Sequence, residues 1–159
     1  MILGVSHFKS VLGNTTATFI NGDVEAAESH AHGVHLPERA VAVPEDLREK
    51  YGLFFVGRSI HSVESALRAK AENVNYVLAG TIFPSQSHLG VPGQGVGFLR
   101  KVCRAVAPLP VIAIGGITPE RVAECIAAGA AGVAVLSPIM QADDPRSVAR
   151  AYRQELDNA

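Results

Sequence analysis

The sequence predicts an α/β protein with the fold of an incomplete TIM-type (β/α) barrel, in which six of the eight βα units are present. Six short apolar runs recur along the 159-residue chain, and helical patterns separate most of them. Hydrophobic residues make up 48% of the chain and charged residues 18%, which is enough apolar content for one buried core. A glycine pair and a serine follow the last two runs, at the place where barrel proteins bind phosphate.

Most of the apolar runs are continuous, which is typical of parallel strands that are buried on both faces. The six predicted strands are Ala17–Ile20, Gly33–Leu36, Phe54–Ile60, Tyr76–Phe83, Val111–Ile117 and Gly132–Ile139. The predicted helices are Val24–Ala31, Pro44–Tyr51, Ser62–Asn73, Val96–Val106, Pro119–Ala128 and Pro145–Leu156. A parallel sheet covered by helices is the packing that this order favours.

Composition limits the domain organisation and the possible partners. We expect one barrel domain over residues 17–159, preceded by an irregular or divergent segment over residues 1–16. The net charge of -1 gives no basic surface for nucleic acid, and no apolar run is long enough for a membrane span, so we expect neither partner. Cys103 and Cys125 lack metal-ligand spacing and are expected to be buried reduced thiols in a cytoplasmic protein.

The segment from Val111 to Met140 contains the clearest functional signal. Gly115 and Gly116 follow a short β-branched run, and glycine allows the backbone to approach a ligand closely. Thr118–Glu120 has the N-cap, N1 proline and acidic first turn of a helix start, and Ser137 follows the next strand. Parallel strands joined by a right-handed crossover end at the same edge, so the pattern predicts an anion site there. The glycine pair alone also fits a tight turn without a ligand.

Two architectures suit alternating strands and helices, the eight-stranded barrel and the open doubly wound sheet. The doubly wound sheet places its glycine-rich turn after the first strand, and no such turn follows Ala17–Ile20. The barrel places phosphate on the loops after its last two strands, which is where the signal lies here. The long loop Pro84–Gly95 carries two serines and five helix and strand breakers, which is typical of a functional loop.

Six motifs in one order resemble those of the thiamine-phosphate synthase and TenI superfamily, barrel proteins of thiamine biosynthesis. The motifs are FINGD (Phe19–Asp23), GVHL (Gly33–Leu36), VGRSIHSVESA (Val56–Ala66), YVLAGTIFPS (Tyr76–Ser85), PVIAIGGITPERV (Pro110–Val122) and AAGVAVLSPI (Ala130–Ile139). The resemblance covers about residues 17 to 156. It implies that the ligand is a small thiazole phosphate.

The resemblance also assigns residues to that ligand. The residues on its phosphate-binding positions are Gly115, Gly116, Ser137 and Ile139, with Ser85 and Ser87 on loop positions that approach the same group. The residues assigned as further ligand contacts are Asn21, Ser59 and Thr81. By contrast, the helical spacing of Arg121, Arg146, Arg150 and Arg153 predicts an exposed face.

The leading functional expectation is a TenI-type protein that binds thiazole phosphate and tautomerises, and so aromatises, carboxythiazole phosphate. Tautomerisation needs a group that moves a proton near neutral pH, for which histidine is best suited. Thr81 occupies the position where the TenI proteins of the resemblance have this histidine. The remaining candidates for the proton carrier are His35, His61 and His88. This activity requires no cofactor and no metal.

The alternative enzyme is a degenerate thiamine-phosphate synthase, which joins a pyrimidine pyrophosphate to thiazole phosphate with magnesium. The acidic residues that bind magnesium in the synthase are not found at their expected positions. The nearest candidates, Asp23 and Glu38, are each displaced from those positions. His88 aligns with a lysine that meets pyrophosphate, and the two N-terminal βα units have no counterpart in residues 1–16. A third alternative is a non-catalytic binder of a phosphorylated ligand. A homo-oligomer covering the open edge of the sheet is expected in each case.

Overall fold

A computed structural model of the chain describes residues 16–40, 55–85, 90 and 92–159. Within these ranges six parallel strands form one sheet in sequence order, and the sheet curls into a half-barrel with helices on its outside. The strands are β1 (Phe19–Asn21), β2 (Gly33–Leu36), β3 (Phe55–Ile60), β4 (Tyr76–Ala79), β5 (Val111–Ile114) and β6 (Gly132–Ala134). The predicted α/β fold, an incomplete TIM-type barrel with six strands, is therefore confirmed.

Helices follow the strands in alternation. They are α1 (Val24–His30), α2 (Val63–Ala71), α3 (Gly95–Val106), α4 (Val122–Ala127), α5 (Ser137–Met140) and α6 (Pro145–Asn158), and a short 3-10 helix, Pro119–Arg121, leads into α4. The predicted helix Pro44–Tyr51 and all of the segment 1–16 except Thr16 lie outside the described residues. None of the described helices has the length and apolar run that crossing a bilayer requires.

The last three strands end earlier than the sequence predicts. β4, β5 and β6 stop at Ala79, Ile114 and Ala134, and not at Phe83, Ile117 and Ile139. The apolar residues beyond β4 and β5 are buried in loops, so a continuous apolar pattern does not mark where these strands end. After β6 the prediction is wrong for a further reason: Ser137–Met140 is helical, with Pro138 in its first turn.

The two faces of the sheet differ in their environment. Side chains on the outer face, among them Val34, Val56 and Val77, are fully buried against the helices and form the core. Side chains at alternating positions, among them Ser59 in β3, Leu78 in β4 and Ile114 in β5, are only partly buried, because they face the concave inside of the half-barrel. The parallel register sets neighbouring strand positions side by side across this face, for example His35 opposite Gly57. The concave face is therefore where a ligand has access.

Both cysteines are free thiols, as predicted. Cys125 is buried in α4, whereas Cys103 is half-buried in α3. Burial raises the pKa of the Cys125 thiol to about 11, which keeps it protonated and unreactive at neutral pH.

Helix α6 is attached to the loop after β5 by one buried hydrogen bond. Tyr152 is 5% exposed, and its hydroxyl donates to the carbonyl oxygen of Ile117 at 2.8 Å. Tyr152→Phe keeps the ring and leaves that carbonyl without its donor, so we expect the free energy of unfolding to fall by about 1 kcal/mol. Urea denaturation measures this change, and an unchanged midpoint would show that the bond contributes nothing net.

Candidate ligand-binding site

A cavity of about 780 Å³ lies at the carboxyl edge of the strands. The predicted site residues that line it are Asn21, His35, Ser59, His61, Thr81, Ser85, Gly115, Gly116 and Ser137. Ile139 is not among the lining residues, and its backbone N–H donates to the carbonyl of Leu136. Ser87 and His88 lie outside the described residues. The geometry thus brings most of the sequence-predicted residues to one place.

One end of the cavity is formed by two loops that are joined through their backbones. The N–H of Ile82 donates to Ile114 at 2.9 Å, and the N–H of Phe83 donates to Gly115 at 3.0 Å. Gly115 and Gly116 have φ angles of +98° and +60°, which favour glycine. A Cβ atom on Gly116 would lie 2.6 Å from the carbonyl oxygen of Phe83, and closer still to that of Pro84. This close approach of two backbones requires glycine at position 116.

The hydroxyl of Ser85 lies at the same end of the cavity. Its oxygen is buried and has no hydrogen-bond partner within the part of the chain that the structure describes. Buried hydroxyls in folded proteins are rarely left unpaired, because an unpaired one costs free energy. Since Ser85 lines the cavity beside the glycine pair, a ligand oxygen is a suitable partner for it.

Arg121 was predicted on an exposed helical face, and that prediction is wrong. The side chain is half-buried and lines the cavity, whereas Arg146, Arg150 and Arg153 are exposed as expected. Its Nη1 donates to the carbonyl oxygen of Gly116 at 2.7 Å, and the guanidinium carbon lies 4.4 Å from the centre of the Phe83 ring. Helical spacing missed this contact because Arg121 lies in the 3-10 turn before α4.

At the other end, His35 lies between two hydroxyl groups. Its Nε2 is 2.9 Å from Oγ of Ser59, and its Nδ1 is 3.2 Å from the hydroxyl of Tyr76, on whose ring it stacks. A neutral imidazole has one N–H and one acceptor nitrogen, so it donates one of these bonds and accepts the other. Burial raises the pKa of Tyr76 to about 12, so the phenol stays protonated.

Burial lowers the pKa of His35 below its ordinary value of 6.5. The imidazole is therefore neutral at pH 7, which suits a group that accepts a proton from a ligand. The geometry brings His35 and Ser59 together in the lining of the cavity. Tyr76 was not identified from the sequence, because nothing in the pattern marks a contact between residues 41 positions apart.

The lowered pKa of His35 makes stability depend on pH. Below about pH 6.5 the unfolded chain takes up this proton more readily than the folded chain, so the free energy of unfolding falls as the solution is acidified. His35→Gln keeps polar contacts without titrating. We expect the variant to lose less stability than the wild type between about pH 6.5 and pH 5. Denaturant unfolding at a series of pH values measures this, and parallel pH profiles would contradict it.

The carboxylates near the cavity are engaged with other groups. Asp23 caps α1 by accepting a hydrogen bond from the N–H of Ala26 at 2.9 Å. Glu38 accepts one from the N–H of His61 and pairs with its imidazole, both at 3.0 Å. Burial alone would raise the pKa of Glu38, but hydrogen bonds from Ser65 and His61 lower it below the ordinary value. Within the described residues, no group of three or more His, Cys, Asp and Glu side chains is placed to hold a metal ion.

A parallel half-barrel with a cavity at the carboxyl edge of its strands places this chain among the β/α-barrel proteins. The family model for thiamine monophosphate synthase matches residues 8–139. The chain belongs to the thiamine-phosphate synthase and TenI superfamily, a family of thiamine biosynthesis.

Individual relatives agree with this assignment. The chain is 37% identical over 139 residues to a thiamine-phosphate synthase of Bacillus velezensis, a match that covers 86% of this chain and 62% of the relative. It is 40% identical over 132 residues to a thiamine-phosphate synthase of Methanoculleus marisnigri, with 82% and 62% of the two chains covered. The chain thus spans about 62% of the length of these curated relatives.

Solved structures support the same fold. A thiamine phosphate pyrophosphorylase from Pyrococcus furiosus superposes with a TM-score of 0.82 at 27% identity, covering 99% of this chain and 78% of the other. A 3-hexulose-6-phosphate synthase superposes with a TM-score of 0.75 at 17% identity, covering 97% and 80%. The similarity to the 3-hexulose-6-phosphate synthase shows a shared fold and carries no information about function.

Proposed function

We propose that this chain binds a thiazole phosphate and forms the thiazole-phosphate side of a thiamine-phosphate synthase. In that reaction a pyrimidine pyrophosphate and the thiazole phosphate are joined, and pyrophosphate is released. The relatives at 37% and 40% identity carry the name of this enzyme, which favours the transferase over the tautomerase. The family resemblance supplies the identity of the two substrates.

The observation that carries the proposal is the buried, unpartnered hydroxyl of Ser85 beside Gly115 and Gly116. A phosphate oxygen at this end would accept a hydrogen bond from the hydroxyl and restore its pairing. Side chains at these two positions would meet Thr81 and the carbonyl oxygens of Phe83 and Pro84, so glycine keeps the two loops close together at this end of the cavity. The phosphate of the ligand therefore belongs at the Ser85 end, and its ring extends toward His35 and Ser59.

The described residues account for one half of the synthase site. Asp23 and Glu38 are held by Ala26 and His61, so no magnesium-dependent step is assigned to them. The role that we propose for the residues that line the cavity is to bind and orient the thiazole phosphate. Ser59, which matches a serine that meets pyrophosphate in the synthases of the resemblance, lines the same cavity.

A second candidate function, the thiazole tautomerase, is favoured by the surroundings of His35. This imidazole lines the cavity, is neutral at pH 7 and contacts the hydroxyls of Ser59 and Tyr76. Such an arrangement is able to take a proton from a bound ring and to return it. Thr81 also lines the cavity, but its hydroxyl does not titrate near neutral pH.

Titration calorimetry and turnover assays on the same purified chain distinguish these functions. Hydroxyethylthiazole phosphate, with the phosphate-free alcohol as control, tests binding. Turnover with pyrimidine pyrophosphate and magnesium then supports the synthase, and magnesium-independent aromatisation of carboxythiazole phosphate supports the tautomerase. Saturable binding without either turnover identifies a non-catalytic binder. A folded chain that does not distinguish the phosphate from the alcohol would overturn the proposed site.

A further inference from the structure

The cavity contains one fixed positive charge. Among its described lining residues, only Arg121 carries a permanent charge, because the other ionisable lining groups are the imidazoles of His35 and His61. The guanidinium keeps its proton at all physiological pH values. The end of the cavity beside Gly116 is therefore electropositive whatever the ionisation of the two histidines.

The guanidinium of Arg121 is held in position by two contacts, and the exposed carboxylate of Glu120, the preceding residue, is a negative charge that interacts with it. Its Nη1 donates to Gly116, and its plane is supported by the Phe83 ring at 4.4 Å. Ion pairs found within the described part of the chain do not include Arg121. One N–H is used by the Gly116 carbonyl, and a guanidinium has five, so donors remain for an anion.

Arg121 and the unpartnered hydroxyl of Ser85 lie at the same end of the cavity. Both side chains line the cavity near Gly116: Arg121 donates to its carbonyl, and Ser85 follows Pro84, whose carbonyl oxygen lies against it. The half-buried guanidinium of Arg121 and the buried, unpartnered hydroxyl of Ser85 are both hydrogen-bond donors. The oxygens of one phosphate group are suitable acceptors for both. Hydrogen bonds in which both partners are charged are about twice as strong as neutral ones.

We propose that Arg121 is the charged anchor of the ligand phosphate, and that it determines the preference for the phosphorylated over the unphosphorylated ligand. This inference rests on the proposed function for the identity of the ring, but the charge argument applies to any phosphate ester. Arg121 thereby has two roles, because its guanidinium donates hydrogen bonds both to the Gly116 carbonyl and to the anion.

The test is Arg121→Gln, which removes the charge but retains an amide donor for the Gly116 carbonyl. We expect the affinity for hydroxyethylthiazole phosphate to fall about 10- to 100-fold, and the affinity for the phosphate-free alcohol to stay unchanged. Binding by the wild type should weaken with added salt, and this dependence should be smaller in the variant. Arg121→Lys, which keeps the charge, should recover part of the affinity. Arg150→Gln removes the same charge from the exposed face of α6 and is the matched control.

Three outcomes would overturn the inference. If Arg121→Gln binds the phosphate ester as tightly as the wild type, the charge is not used. If it weakens the ester and the alcohol equally, Arg121 only supports the shape of the loop. A wild type that does not bind thiazole phosphate refutes the proposed function, and titration with inorganic phosphate then tests Arg121 separately. Phosphate binding that is weakened in Arg121→Gln but not in Arg150→Gln supports the inference, whereas its absence in the wild type refutes it.

Discussion

Gly116→Ala is expected to abolish detectable binding of thiazole phosphate and to destabilise the fold. The new Cβ would meet the carbonyl oxygens of Phe83 and Pro84, and backbone atoms are unable to rotate out of the way as a flexible side chain does. The φ of +60° adds a cost of about 1 kcal/mol for alanine. We expect the loops to separate, so that affinity falls by about 100-fold or more and the free energy of unfolding falls by about 2 kcal/mol.

Calorimetric titration and urea unfolding of the same variant measure the two effects. Gly97→Ala is the matched control: Gly97 lies on an exposed position of α3, and a Cβ there meets nothing within 4 Å. It should bind like the wild type and be slightly more stable, since alanine favours a helix more than glycine does. Full affinity in a folded Gly116→Ala protein would place the phosphate elsewhere in the cavity.

The order of strands and helices could be predicted because each element has its own apolar pattern. The strand Gly33–Leu36 was predicted with the bounds that the structure shows. The ends of later strands were wrong, because the sequence shows that Ile82 is apolar but not that it is buried in a loop. Whether an apolar residue continues a strand or packs beneath a turn depends on neighbours that are distant in sequence. Here the neighbour is Ile114, whose carbonyl accepts the N–H of Ile82.

In the candidate site, too, residues marked by a local sequence pattern could be predicted, whereas contacts between residues distant in sequence could not. The motif at a strand end predicted Gly115 and Gly116, since parallel strands bring their carboxyl ends to one edge, and the family resemblance predicted Ser85; all three line the cavity. Arg121 escaped prediction because periodicity describes a helix and gives no information about the turn that precedes it. The contacts of His35 were also not predictable, as they depend on the register of three strands.

Arg58→Met is expected to destabilise the protein more than any exposed arginine substitution. Arg58 is 4% exposed on the outer face of β3, and its Nη2 lies 2.8 Å from a carboxylate oxygen of Glu72. Its Nη1 donates to the carbonyls of Ala40 at 2.9 Å and Glu38 at 3.3 Å. Removing the cation leaves Glu72 and both carbonyls without this donor. Breaking a buried pair in this way costs about 3–5 kcal/mol.

The same substitution should disturb the rim of the cavity, because the loop that Arg58 holds carries Glu38, and Glu38 holds His61. Arg68→Met, on the exposed surface of α2, is the control and should change the free energy of unfolding by less than about 0.5 kcal/mol. The double variant Arg58→Met, Glu72→Leu should recover part of the loss, since it no longer leaves an unpaired carboxylate near the core. If the double variant is no more stable than Arg58→Met alone, the loss comes from the two carbonyls, and the main role of Arg58 is to fasten the loop after β2.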